Sequence, residues 1–139
     1  MKTWLKRISL GFIIILALAI IGFVWWGYTP LKAMPESQTA LESDTDVLVI
    51  AKKWMVFSPI NTSTKTGVII YPGGHVDPRA YAPLAKEIAR NGYLVILPPM
   101  PLNLAVFDIN VADEIIEASP EIETWFIGGH SLGGAMAAE

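Results

Sequence analysis

Hydrophobic and polar positions divide the chain into three regions with different periods. The first is a continuous apolar stretch from Ile8 to Leu31, in which Tyr28 is the only ionisable side chain. Its centre, Phe12 to Ile21, is long enough with its flanks to cross a hydrocarbon core of about 30 Å. The second, Pro30 to Asp46, has no apolar period and carries Pro35, Glu36, Ser37, Gln38, Glu42, Ser43 and Asp44, which predicts a polar stalk. From Val47 onward, short apolar runs alternate with helical spacing.

Within that third region, Val47–Ile50 and Trp54–Phe57 read as two short strands, with a hairpin at Lys52-Lys53. Ser58-Pro59 and the polar run 61–65 form a loop. Val68–Tyr71 is an uninterrupted apolar run, as expected of a strand buried on both faces of a parallel sheet. Asp77-Pro78 predicts a helix start, Asp as N-cap and Pro at the first position. Tyr81, Leu84, Ala85, Ile88 and Ala89 then share one helical face, and Asn91-Gly92 stops the helix. Tyr93–Leu97 is a second buried strand, closed by Pro98-Pro99-Met100-Pro101. A less periodic helix is expected from about Val106 to Ala118, then a strand from Thr124 to Ile127. The order β-α-β-α-β-turn-α implies a parallel α/β sheet with right-handed crossovers.

Charge divides the chain along the same boundary. Before Glu36 there are four basic residues and no acids, and from Glu36 onward six basic and thirteen acidic, a net of minus seven. Lys2, Lys6 and Arg7 ahead of the apolar stretch favour a cytoplasmic N-terminus, and Trp25, Trp26 and Tyr28 suit the far headgroup level. A cleaved signal is the competing reading. The apolar region is longer than a typical h-region, and the nearest candidate site, Leu31-Lys32-Ala33, places a bulky Leu where a small residue is needed. The absence of Cys excludes a lipid-modified N-terminus. The expected organisation is a basic tail (1–7), a signal anchor in the bilayer (8–28), a linker (29–46) and an extracytoplasmic domain (47–139). An acidic exported portion without a Lys/Arg cluster argues against nucleic acid as a partner.

The candidate chemistry lies near the end, in Gly129-His130-Ser131-Leu132-Gly133. This G-x-S-x-G pattern arises by chance in about one chain in twenty of this length, so its context decides its meaning. Here an apolar strand precedes it and Ala135-Met136-Ala137-Ala138 follows as a helix, the strand–turn–helix setting that projects a serine as nucleophile. A Gly-rich turn whose Ser only caps the helix is the alternative. A phosphate loop is excluded: no Lys follows the glycines, and they do not spell G-x-G-x-x-G. Acyl transfer also needs N–H donors for the oxyanion. Leu132 supplies one, and Gly74 or His75 of Pro72-Gly73-Gly74-His75 supplies the other.

Gly67–Glu139 resembles the α/β-hydrolase superfamily, through Val-Ile-Ile-Tyr-Pro-Gly-Gly-His at 68–75, the helix 77–91, Tyr93–Pro98 and Ile-Gly-Gly-His-Ser-Leu-Gly-Gly at 127–134. With its anchor, the chain is similar to a membrane-anchored bacterial subgroup of esterase-like hydrolases. The resemblance implies the N-terminal half of such a sheet, an antiparallel pair followed by parallel β-α-β-α-β, after one transmembrane helix. It implies Ser131 as nucleophile, Gly129 and Gly133 as elbow glycines, a small-molecule ester or related acyl substrate, and no cofactor or metal. Ser131 argues against a dienelactone-hydrolase-type relative, which carries Cys there. The family's triad acid and His come from strands beyond the elbow, and this sequence ends eight residues after Ser131. The expectation is therefore the N-terminal part of a longer enzyme, inactive by itself. A catalytically inert fragment or a non-catalytic anchored binding domain is the alternative. His75 and His130 read as packing, polar or substrate-side residues, and Asp108, Asp113 and Glu114 as surface charges.

Overall fold

The computed structural model describes residues 2–139; Met1, the first residue of the expected basic tail, lies outside the described residues. Helix α1 (Lys2–Gly27) contains a stretch, Lys6–Gly27, apolar enough to cross a membrane; it is largely exposed up to Trp26, and Gly27 at its end is buried against the domain. At 1.5 Å per residue those 22 residues extend about 33 Å.

Five strands form one mixed sheet in the order β1-β2-β4-β3-β5: β1 (Val47–Ala51), β2 (Met55–Pro59), β3 (Thr66–Tyr71), β4 (Leu94–Leu97) and β5 (Thr124–Gly129). β1 and β2 form the expected antiparallel hairpin, Ala51 opposite Met55, and β2 is also antiparallel to β4. β3 runs parallel to both β4 and β5, with Val68 opposite Val95 and Phe126. Successive side chains of a strand face opposite sides of the sheet, and β3 and β4 use both sides for core. Ile69, Tyr71, Leu94 and Ile96 pack with Val111, Ala112, Ile115 and Ile122 on one face. Ile70, Val95 and Leu97 pack with Val47, Phe57, Ala82, Ala85 and Ala89 on the other. The uninterrupted apolar runs of these strands follow from that double burial.

The helices differ from expectation in detail. Asp77 does act as a cap, accepting from the Arg79 N–H at 3.0 Å, but it opens a 3-10 turn (Pro78–Tyr81) ahead of α3 (Ala82–Arg90). The face of α3 against the sheet is Ala82, Ala85 and Ala89, with Lys86 buried beside it toward the connector, whereas Leu84 is 53% exposed. Small residues let the helix lie close to β2 and β4, and the larger Leu84 and Ile88 turn toward a groove over β5. The helix expected at 106–118 is present as the shorter α4 (Val111–Glu117), preceded by 3-10 turns at Pro101–Asn103 and Ala105–Phe107. β5 lies at the sheet edge, with Phe126 60% and Ile127 41% exposed.

The polar connector is held to the domain instead of standing free. Leu31 bridges Val76 in parallel, donating to the His75 carbonyl (2.9 Å) and accepting from the Asp77 N–H (3.0 Å). A short helix, α2 (Pro35–Ala40), packs on α3 and buries Ser37. Asp44 accepts from the N–H groups of Asp46 (3.0 Å) and Val47 (2.9 Å) and pairs with Lys86 (3.0 Å) and Arg90 (2.8 Å). These donors, the two backbone groups first, hold its carboxyl well below the usual carboxylate range. Lys86 is buried on the α3 face because its ammonium reaches both Asp44 and the Glu42 carbonyl (2.5 Å). Polarity predicts exposure; it does not reveal that these groups find partners across the chain.

Candidate active site

The turn from β5 into helix α5 (Leu132–Met136) is fixed by close backbone packing. A Cβ at Gly129 would lie 2.6 Å from the Gly133 carbonyl carbon, and one at Gly133 would lie 2.3 Å from the Pro72 oxygen and 2.4 Å from the Tyr71 oxygen. Neither position has room for a side chain. The His130 N–H donates to the Tyr71 carbonyl at 3.2 Å, tying the turn to the end of β3. Tyr71 is itself locked: its hydroxyl donates to the Ile109 carbonyl (2.8 Å) and accepts from the Ala112 N–H (3.1 Å), and burial pushes its pKa up.

Ser131 occupies this turn at φ 51°, ψ −121°. Positive φ is uncommon for a residue with a Cβ and costs of order 1–3 kcal/mol, sustained only where the surroundings enforce it. Although Ser131 stands at the N-cap of α5, its hydroxyl makes no capping hydrogen bond. The side chain is exposed, and among the described residues no group bonds to its Oγ. The serine is therefore not positioned by a capping role.

Opposite the elbow runs the loop Pro72–Asp77. A Cβ at Gly74 would come within 3.0 Å of Leu132 Cδ2, so the two loops are in contact. His75 has φ 57°, and its N–H donates to the Asn103 carbonyl at 2.7 Å. The Gly73 N–H donates to the Tyr81 hydroxyl at 3.0 Å. The N–H groups of Gly74 and Leu132 have no partner among the described residues. Behind the loop, the Arg79 guanidinium contacts both oxygens of the buried Asp77 carboxylate (Nε at 2.9 and 3.0 Å) and holds it below the usual carboxylate range. Asp77 thus stabilises the loop and is committed there.

Neither histidine reaches Ser131. His130 Nδ1 lies 3.1 Å from the Tyr81 hydroxyl. That hydroxyl also accepts from the Gly73 N–H, so Tyr81 joins the His130 ring to the glycine loop. His75 Nε2 lies 2.8 Å from the Trp26 carbonyl, and its ring stacks on the Trp26 indole. Three participants were not legible in the sequence: the Tyr81 hydroxyl, Asn103 and Trp26. Asn103 at φ 54° follows Leu102 at φ 51°. Asn tolerates this region, and that tolerance is the only local signal for a tight turn there.

A positive-φ serine between a strand and a helix, faced by a glycine loop from an earlier parallel strand, is the layout expected of an α/β hydrolase sheet. The model of the alpha/beta hydrolase family matches residues 67–139, more than half of the chain, and the chain belongs to that family. Among solved structures it is similar to an ester-hydrolase from the metagenome of Lake Arreo, complexed with a derivative of bipyridine phosphonate. Identity is 18% and the TM-score 0.45, over 74% of this chain; the chain spans 41% of that structure's length. No curated protein matches it.

Proposed function

We propose that Ser131 is the nucleophile of a serine hydrolase acting on an ester or related acyl group of a small-molecule substrate. The hydroxyl attacks the carbonyl carbon, and the oxyanion that forms accepts from the N–H groups of Leu132 and Gly74. Gly74 is preferred to His75 because the His75 N–H is already given to Asn103. The observation that carries the reading is the strained, uncapped Ser131 at the end of β5. Backbone strain of this kind persists where function uses it, and a serine serving only as a cap would bond to the helix it opens.

The base and its carboxylate partner are assigned to residues outside these 139, since among the described residues neither histidine bonds to Ser131: His130 holds Tyr81 and His75 holds Trp26. The chain then acts as the N-terminal part of a longer enzyme and has negligible turnover alone. Residues 8–28 cross the cell membrane, the basic N-terminus stays in the cytoplasm, and the hydrolase domain lies outside. The test is labelling by a serine-directed fluorophosphonate in the native membranes, with Ser131→Ala as control. Labelling of the wild type alone is expected. A wild type as unreactive as the variant would favour a non-catalytic binding domain or an inert product.

A further inference from the structure

The end of α1 does not lead away from the domain but docks beside the elbow. Asn103 Nδ2 donates to the Gly27 carbonyl (2.8 Å), Leu102 packs against Gly27, and His75 stacks on Trp26. Phe107 meets Phe23 edge to face at 6.5 Å between ring centroids. Phe23 is four residues before Gly27, so Phe107 reaches about 6 Å back along the helix axis. Interfacial apolar groups lie about 5–10 Å deep, at the boundary of headgroups and acyl chains. Val106, Phe107 and Ile109 are 46%, 52% and 39% exposed, which is costly in water and favourable at that depth. The acid among them, Asp108, is half-buried, and its charge acts on Tyr71, on the domain side.

The same loop borders the elbow. Helix α5 packs against the Ala105–Phe107 turn. A Cβ at Gly74 would lie 3.5 Å from Leu104 Cδ2 and 3.0 Å from Leu132 Cδ2. Helix end, apolar loop, Gly74 and the residue after Ser131 are thus contiguous.

We infer that residues 104–109 dip into the bilayer interface beside α1, and that Ser131 receives its acyl ester from the membrane. The inference rests on the anchor and on Ser131 as nucleophile. The substrate class is an ester whose acyl chain partitions into the bilayer, and the carbonyl reaches Ser131 across the rim of Val106 and Phe107. Membrane placement of the loop excludes water from one side of the site and concentrates such substrates beside it.

The test uses the full-length protein in phosphatidylcholine vesicles containing doxyl-labelled lipid. The 139 residues contain no Cys, so a fluorophore on Val106→Cys is site-specific within them, with Ser63→Cys, in the loop at the other end of β3, as reference. Strong doxyl quenching at 106 and none at 63 is expected. In the same vesicles, a long-chain fluorophosphonate is expected to label Ser131 at least about tenfold faster than a short soluble one. Phe107→Glu is expected to slow the long-chain probe severalfold more than the short one, whose continued labelling reports that the variant folds. A position 106 as unquenched as 63 overturns the membrane contact. Quenching at 106 with equal rates for both probes overturns the membrane-borne substrate and leaves Ser131 as nucleophile. Quenching with no labelling by either probe removes the nucleophile, and the substrate class with it, while supporting the surface contact.

Discussion

The His75 imidazole lies flat on the Trp26 indole, ring centroids 4.1 Å apart and planes 11° from parallel, with Nε2 2.8 Å from the Trp26 carbonyl. That carbonyl belongs to the last turn of α1 and also accepts from the Thr29 N–H and Oγ1, both at 2.9 Å. The His75 side chain therefore fastens the loop to a helix end that Thr29 already caps, while its own backbone shapes the loop facing Ser131. The backbone N–H of His75 bonds Asn103, whose amide bonds Gly27, closing a ring of contacts between helix and loop.

Removing that ring side chain should loosen the helix from the loop. His75→Ala loses one hydrogen bond, about 1 kcal/mol net, and a stacked ring pair worth about 0.5–1.5 kcal/mol. The expected result is faster proteolysis in the connector near Lys32 in detergent, with little change in the global unfolding midpoint. A cleavage rate equal to wild type would show that the helix end is held by the Leu102 and Asn103 contacts alone.

Ser131 separates backbone strain from side-chain chemistry. Ser131→Ala removes a hydroxyl that bonds to nothing among the described residues, so unfolding should change by less than about 0.5 kcal/mol. A capping serine would instead lose about 1 kcal/mol. Ser131→Gly relieves positive φ and should raise stability by about 1 kcal/mol, net of the extra entropy of the unfolded glycine. Urea midpoints of the three proteins decide the matter. An Ala variant weakened by 1 kcal/mol or more would restore the capping role.

The strands were legible because their chemistry is local. Runs such as Val68–Tyr71 and Leu94–Leu97 admit burial on both faces and little else, and Gly129 and Gly133 mark a turn too tight for side chains. The docking of α1 was not legible, since an aromatic end such as Trp25-Trp26 reads the same facing lipid or a protein loop. The segment 98–110 has no single period because it is built from two 3-10 turns with positive φ at Leu102 and Asn103. The face of α3 was misjudged for a packing reason: the sheet surface takes Ala82, Ala85 and Ala89, and leaves Leu84 outside.

Neighbouring glycines should differ sharply in tolerance. Gly133→Ala forces a Cβ to 2.3 Å from the Pro72 carbonyl oxygen, a backbone atom that cannot rotate away, and overpacking of this kind costs about 3 kcal/mol or more. At Gly128 a Cβ meets nothing within 4 Å, so Gly128→Ala should lie within about 1 kcal/mol of wild type. Thermal unfolding of the two variants should therefore show one large drop and one small change. Similar losses in both would mean that the β5–α5 turn is less tightly apposed to β3.

Asp44 sets the acid limit of the connector. Its carboxyl is lowered by the N–H groups of Asp46 and Val47, then by Lys86 and Arg90, and it binds its proton less readily folded than unfolded. A depressed folded pKa contributes stability that is complete above the unfolded value of about 3.9 and is lost as pH falls below it toward the folded value. The sign follows from proton uptake: below pH 4 the unfolded chain holds a proton on this group that the folded chain does not. Urea unfolding between pH 6 and about 2.5 should therefore show a falling midpoint in wild type, with a shallower fall in Asp44→Asn. The variant should also be less stable at neutral pH, because Lys86 would keep its buried ammonium without the carboxylate beside it. Parallel pH profiles in the two proteins would assign the acid sensitivity to other carboxylates, with Asp77 and its Arg79 partner the first to examine.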